Sequence, residues 1–495
     1  MALKIHIPVF LIFIGLFCSC VKYKSADIIV HNGTIYSCDS EFTVYEAMAI
    51  KDGKIVELGP EHQIRNKYTA DEMLDLKKRT ITPTFFDAHS YILAKSLKKN
   101  SIDYKDFEGV NIDSSKLNYV YNIPEKQLKT VAFENKNFVY RSISGNMVIP
   151  GSVNEIVFNS NGRLFISSKD SVGQVVLFLE QEQLSRFRFE QMEAELFKNG
   201  YSGCSSFGVE SNTAEKLLAK NPTGYHQFIL AGNDENFNWL TKVGRTDSGN
   251  IHIKGLSYFI DGGFGSKDAL LKEKYADTDL IGTQFTDSSL INEISDLCAS
   301  LRFQLTFHAY GDSGFSLAAR QMGDALESVN DNRWRIEHNQ FITAADYNLL
   351  KKFSILPSVQ PTQAQTDKKQ FATILGTQRN CETYNFKKLL NQNQFLASGS
   401  LYPIGELNPI EQLIALLNSE NQCNHGIDKK AALKAITIWP AMLAFFDSET
   451  GSLEVGKNAD FVVLNLDPVK AETKTLEQLK IETTHIKGIQ KFSRN

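Results

Sequence analysis

Three histidines in this chain each follow an apolar, strand-like run. His89 comes late in Ile81-Thr-Pro-Thr-Phe-Phe-Asp-Ala-His-Ser-Tyr-Ile-Leu93, His308 ends Leu305-Thr-Phe-His308, and His338 ends Arg333-Trp-Arg-Ile-Glu-His338. Neutral imidazole is a common ligand for zinc and related ions. Asp87, His89 and Tyr91 are spaced by two, so on a strand they share one face. A His-x-His here would be a two-ligand metal grip, but Tyr91 holds the second place. Taken alone, each histidine reads better as a hydrogen-bonded structural residue. Three of the ten histidines set after such runs point instead to a shared site, if the runs are strands of one barrel. Lys254, Asp261 and Asp312 lie in or just past neighbouring runs and are further candidates.

The elements that must position these residues follow a pattern. Strand candidates at 251–260, 304–308, 334–337, 355–359 and 395–398 alternate with helical segments at 183–199, 292–301, 314–329 and 410–419. Repeated β-then-α units argue for a parallel sheet covered by helices. At this length an α/β fold of the (β/α)8 TIM barrel type fits, and no glycine-rich dinucleotide fingerprint follows an early strand. In such a barrel the active site lies at the C-terminal ends of the strands. Both chain ends are β-rich, with turn signals at Asn32-Gly33 and Asp52-Gly53 that read as hairpins. The expected organisation is a composite β-sandwich built from residues 27–82 and 441–495, with a barrel over 83–440 and an insertion near 95–180.

The chain has 495 residues, 42% of them apolar and 22% charged, with a net charge of −4. That balance gives no general attraction to nucleic acid. Residues 1–20 have signal-peptide proportions: Lys4, an apolar run from Ile7 to Phe17, then Ser19-Cys20. A small residue directly before a cysteine resembles the lipobox of bacterial lipoproteins. The expectation is an exported cell-envelope protein, periplasmic or outer-membrane attached, with Cys20 lipidated; a plain N-terminal anchor helix is the alternative. The other five cysteines are scattered, with no metal-finger spacing and no dense disulfide framework.

Several short motifs occur in order: Asp52-Gly-Lys-Ile55, Phe86-Asp-Ala-His-Ser90, Asp261-Gly-Gly-Phe-Gly-Ser266, His308-Ala-Tyr-Gly-Asp312, Arg335-Ile-Glu-His338, Gln360-Pro-Thr362, Gly399-Ser400 and Gly456-Lys-Asn-Ala-Asp460. Together they resemble the amidohydrolase superfamily, specifically amidohydrolase family 3, which includes N-substituted formamide deformylase-like proteins. The resemblance runs from about residue 27 to 468. It implies a metal-dependent hydrolase on a TIM barrel. Carried over, His89, His308 and His338 match ligand positions, and Lys254 matches a lysine that bridges metals when carboxylated. Two departures stand out: Tyr91 replaces the second histidine, and Leu401 follows Gly399-Ser400 where the family places its catalytic Asp. Ser206 falls where many relatives have Asp.

The resulting expectation is a hydrolase of non-peptide C–N bonds in a small molecule. Its altered site holds at most one divalent ion, most simply zinc, with Tyr91, Asp261 and Asp312 facing substrate. Asp312, Glu337 or Asp261 would stand in as base. The alternative is a lipid-anchored, catalytically inactive protein that keeps the barrel for binding or assembly.

Overall fold

The computed structural model describes residues 23–93, 189–402, 405–417 and 425–494, with five short strands between 101 and 157. The leader, Cys20 included, lies outside the described residues. Eight parallel strands make the central sheet: β1 (Phe85–Ser90), β2 (Tyr201–Val209), β3 (Tyr225–Ala231), β4 (Gly255–Phe259), β5 (Gln304–Ala309), β6 (Arg335–His338), β7 (Leu356–Val359) and β8 (Ala397–Ser398). Past the end of β8 the chain returns to β1: the Leu401 N–H donates to the His89 carbonyl at 2.8 Å, and Ser90 bridges Tyr402 in parallel. The arrangement is a nearly closed TIM-type barrel.

The outer helices form because their apolar residues repeat at helical spacing. In the helix Asp312–Leu326, Phe315, Ala318, Ala319 and Met322 are all buried, at i, i+3, i+4 and i+7. Two strands have no counterpart in the sequence reading. In β2, Tyr-Ser-Gly-Cys-Ser-Ser-Phe-Gly-Val is buried at all nine positions, so it shows neither alternation nor an aliphatic run. In β3, His226 and Gln227 interrupt the apolar signal. The run expected at 251–260 divides into Ile251–Ile253 and β4. Gly255 marks the join, where a Cβ would lie 1.8 Å from the Gln304 carbonyl oxygen.

Two further sheets sit beside the barrel. A four-stranded sheet has the order Lys54–Gly59, Ala47–Lys51, Lys24–His31, Tyr68–Asp75. A six-stranded sheet joins Thr34–Tyr36, Val44–Tyr45 and Thr80–Pro83 to Phe461–Leu464, Ile481–Ile486 and Ile489–Ser493, so it draws on both chain ends. Val30, Ile50, Ile81, Phe461 and Val463 are among the buried residues that pack between them. Asp52-Gly53 is a two-residue hairpin turn with both residues at positive φ. Asn32-Gly33 is not a hairpin: it carries the chain from one sheet into the other, since the strands on its two sides pair with different partners. The five strands between 101 and 157 form a sheet of their own within the expected insertion.

Closure of the barrel rests on Asp87. Its carboxylate accepts from Ser400 N at 2.8 Å, His89 N at 3.1 Å and the Ser400 hydroxyl. Gly399 permits the approach, because a Cβ there would lie 2.4 Å from that of His89. Burial pushes the Asp87 carboxyl up to about 7 in spite of these three donors. A carboxyl raised in the folded state keeps its proton longer there than in the unfolded chain. Its contribution to stability therefore declines as pH rises from near 4 to about 7, on the order of 1.4 kcal/mol per pH unit. Asp87→Asn should flatten that decline in urea midpoints measured from pH 4.5 to 7; an unchanged slope in the variant would remove Asp87 as its source.

Candidate functional site

His89, His308 and His338 meet at the C-terminal end of the barrel. His89 is the penultimate residue of β1, His308 the penultimate residue of β5, and His338 the last of β6, in register with Ala309. His338 and Asn339 both take positive φ, 74° and 49°. Asn339 fixes that turn by donating from Nδ2 to the carbonyls of Ile336 and Ser358. Non-glycine residues in the left-handed region cost energy and cluster at functional sites.

The three rings form an equilateral triangle, with every centroid pair 5.4 Å apart. His308 Nδ1 and His338 Nε2 are 3.2 Å apart. Two imidazoles on one tetrahedral ion, with bonds of about 2.0–2.1 Å, hold their nitrogens roughly 3.3 Å apart and their centroids about 5 Å apart. The spacing fits a single ion. His89 Nε2 and His308 Nε2 are buried and lack hydrogen-bond partners among the described residues, but the His308 nitrogen that faces His338 is Nδ1. Among the described residues, however, no three His, Cys, Asp or Glu side chains form a complete ligand group. The fit is therefore to the His308–His338 pair alone, with the His89 ring centroid 5.4 Å from each of theirs. Burial lowers the pKa of both His89 and His308, and for His308 the neighbouring histidines add to it. Both are neutral at physiological pH, the form that ligates.

Each ring lies against an aromatic one. His89 stacks on Phe207 at 4.2 Å, His308 on Phe259 at 4.1 Å and His338 on Tyr310 at 3.9 Å. Phe259 is the residue paired with His308 across β4 and β5. None of these aromatic residues is singled out by sequence reasoning, though Phe259, at a strand end and in register with His308, carries a signal.

Glu337 turns into the barrel beside His89, with its carboxylate 2.8 Å from His89 Nδ1 and 3.2 Å from Arg335 Nε. Burial would raise its pKa, but His89 and Arg335 prevail and hold it near 2. Gln360 Nε2 donates to the same carboxylate at 3.0 Å.

The other sequence candidates divide. Tyr91 lies at the site, its ring 5.4 Å from that of His89. Burial, with Glu337, raises its phenol pKa and keeps it neutral. Leu401 is also there, buried, at φ 59°. Lys254 does not join the histidines. It precedes β4 level with Gln304, which opens β5, so it stands at the opposite rim, roughly 16 Å of strand from Phe259. There its ammonium bonds Asp247 at 2.7 Å and lies 5.2 Å from the Phe445 ring centroid. Asp261 is taken up by backbone, accepting from Leu270, Tyr310 and Gly311 N–H groups at 2.8, 2.8 and 2.9 Å. Asp312 accepts from Lys272 N at 3.0 Å. Both aspartates shape the loops above β4 and β5. Ser206 is buried in β2.

Comparison with known proteins agrees with this architecture. The N-substituted formamide deformylase of Arthrobacter pascens is 20% identical over 94% of this chain and 98% of its own length. Protein LONG AFTER FAR-RED 3 of Arabidopsis thaliana is 34% identical over a shorter stretch, 43% of this chain and 39% of that protein. Among solved structures, an uncharacterized metal-dependent hydrolase from Pyrococcus horikoshii OT3 superposes with a TM-score of 0.72 at 18% identity, covering 90% of this chain and 99% of its own. A family model described as the amidohydrolase family matches residues 198–490, more than half of the chain, and with β2 to β8, Phe461–Leu464 and Ile481–Ile486 inside that match, the chain belongs to the amidohydrolase family.

Proposed function

We propose that this protein is a metal-dependent hydrolase acting on a non-peptide C–N bond of a small molecule, through an altered site that takes one divalent ion. The observation that carries this reading is the 3.2 Å approach of His308 Nδ1 to His338 Nε2 inside a buried three-histidine triangle. An all-imidazole set suits zinc. When bound, such an ion lowers the pKa of water and polarises a scissile carbonyl. His308 and His338 would hold it, with the His89 ring beside them. The family relationship supports the C–N bond class, and the deformylase relative is named for N-substituted formamides.

The altered part is the proton acceptor. Leu401 stands at the position where the family has its Asp, and it has no atom that takes a proton. Asp261, Asp312 and Glu337 are each committed to other partners. Loss of a positioned base costs about 10²–10⁴-fold in rate. A second reading, a catalytically inactive protein kept for binding, draws on the same Leu401 and on the aromatic ring stacked on each histidine. The backbone at 401 still suits the missing residue: φ 59° is a conformation that Asp adopts more readily than Leu.

For the cell envelope, the reading is an exported protein held to the membrane by lipid on Cys20. Cys381 is disulfide-bonded, and disulfides persist in oxidising compartments.

Titration of the metal-free protein with Co(II) or Zn(II) should show one site per chain. His308→Ala and His338→Ala should each weaken it by at least about tenfold, while Lys254→Ala leaves it unchanged. Two tight sites, or loss on replacing Lys254, contradicts the single-ion reading. Tyr91→His combined with Leu401→Asp should raise metal content and amide or ester hydrolysis together. Hydrolysis by the wild type at ordinary enzyme rates would show that Leu401 is no handicap. Cys20→Ala should release the protein from membranes or block its processing; an intact mass retaining Met1 on a soluble protein rules the lipid out.

A further inference from the structure

We infer that the mouth of the barrel recognises a neutral, flat small molecule through its N–H groups, with the carboxamide oxygens of Asn339, Gln340 and Gln360 as the acceptors. The inference rests on the hydrolase reading above for the place of the site, and it deepens that reading by naming what the substrate presents. No part of it requires an ion.

The three carboxamides directly follow β6 and β7, and all are buried. Each commits its N–H to the protein. Gln360 Nε2 donates to the Glu337 carboxylate at 3.0 Å. Asn339 Nδ2 donates to the Ile336 and Ser358 carbonyls at 2.7 and 2.9 Å. Gln340 Nε2 donates to Gln363 Oε1 at 3.2 Å. A carboxylate and two carbonyls only accept, so the Gln360 and Asn339 amides cannot be turned over. The Gln360 amide also reaches within 3.2 Å of His89 Nδ1, which places it inside the ring of strands. The oxygens of all three amides are buried and lack hydrogen-bond partners among the described residues. A buried acceptor left unmet costs more than a hydrogen bond contributes, so three at one pair of strand ends call for a donor.

Beside these acceptors the site offers few donors. The His89 and His308 Nε2 atoms and the Ser206 and Ser358 hydroxyls are also unmet, and each takes either role; Arg335 Nη2 only donates. Charge narrows the ligand further. Arg335 Nε and the Glu337 carboxylate lie 3.2 Å apart and neutralise each other, while Asp261 and Asp312 accept from backbone N–H groups. A cation would lose its water there without gaining an uncommitted carboxylate, and an anion would face the three amide oxygens. A neutral group avoids both costs. The rings of Phe207, Phe259 and Tyr310 stack on the three imidazoles, so the lining is aromatic and suits a flat group. A urea or carboxamide whose nitrogens keep their hydrogens meets these conditions.

The test uses the full chain, stripped of metal and held in EDTA, so that it stands apart from any hydrolase activity. Calorimetric titration compares benzimidazolinone, a rigid cyclic urea with two N–H groups, with its N,N′-dimethyl derivative, benzoate and benzamidinium. Benzimidazolinone should bind saturably, and the dimethyl derivative at least about tenfold more weakly. Gln360→Met and Gln340→Met should each weaken benzimidazolinone about three- to tenfold; the second leaves Glu337 its donors and serves where the first does not fold. Equal affinity for the dimethyl derivative, tighter binding of benzoate or benzamidinium, or no saturable binding overturns the inference. So does unchanged benzimidazolinone affinity in the folded variants. If benzimidazolinone binds only once Zn(II) is added, the inference fails while the hydrolase reading stands. If it binds the metal-free protein, yet neither ureas nor amides are hydrolysed with Zn(II) present, the hydrolase reading fails while the recognition stands.

Discussion

Everything at the site depends on how β8 is held against β1. Asp87 reaches across the seam to the Ser400 N–H and hydroxyl, and Gly399 has no side chain to keep the strands apart. The contact joins residues at opposite ends of the barrel sequence, so its entropic cost is met only after the other strands are in place. The three donors offset part of the cost of burying the Asp87 carboxyl, and they fix where it sits. The same seam carries His89 one way and Leu401 the other, joined by a backbone hydrogen bond. The backbone at His89 and at Leu401 is thus maintained by one set of contacts.

Inside the ring of strands, charge is balanced locally. Arg335 and Glu337 are both fully buried, and burial, opposed in part by the Glu337 charge, brings the guanidinium down to about 10. Such a pair gains little over apolar packing, yet losing one member costs about 3–5 kcal/mol, because the other is left uncompensated. What the pair contributes here is orientation. It occupies the Nδ1 side of His89.

Much of this was legible in the sequence. The β-then-α repetition, the strands carrying His308 and His338, and the β-rich chain ends all follow from periodicity and turn chemistry. The run from Ile81 to Leu93 was legible as one strand, but it bends at Thr84, giving Thr80–Pro83 to a sandwich sheet and Phe85–Ser90 to the barrel. Strand β2 was hidden because Gly203, Ser205 and Ser206 satisfy tight packing rather than a hydrophobic pattern. At the site, the three histidines could be nominated from their place after apolar runs. Lys254 could not be placed, since one apolar run gave no sign of which end of the strand it occupied. Nor could the partners of Asp261 be foreseen, because backbone N–H groups leave no mark in sequence. Glu337 and Arg335, spaced by two on β6, show that a strand's period does mark a shared inward face once the strand end is known.

The six-stranded sheet has a consequence for biosynthesis. Thr80–Pro83 pairs with Phe461–Leu464, so the early strands emerge from the ribosome long before their neighbour exists. At about 5–20 residues per second, the stretch from residue 83 to 461 takes roughly 20 to 75 s to synthesise. Throughout that interval an apolar strand, buried in the finished protein, presents an unpaired hydrogen-bonding edge. Unprotected edges recruit other chains. A chain stopped before Phe461 would leave the same edge without its native neighbour.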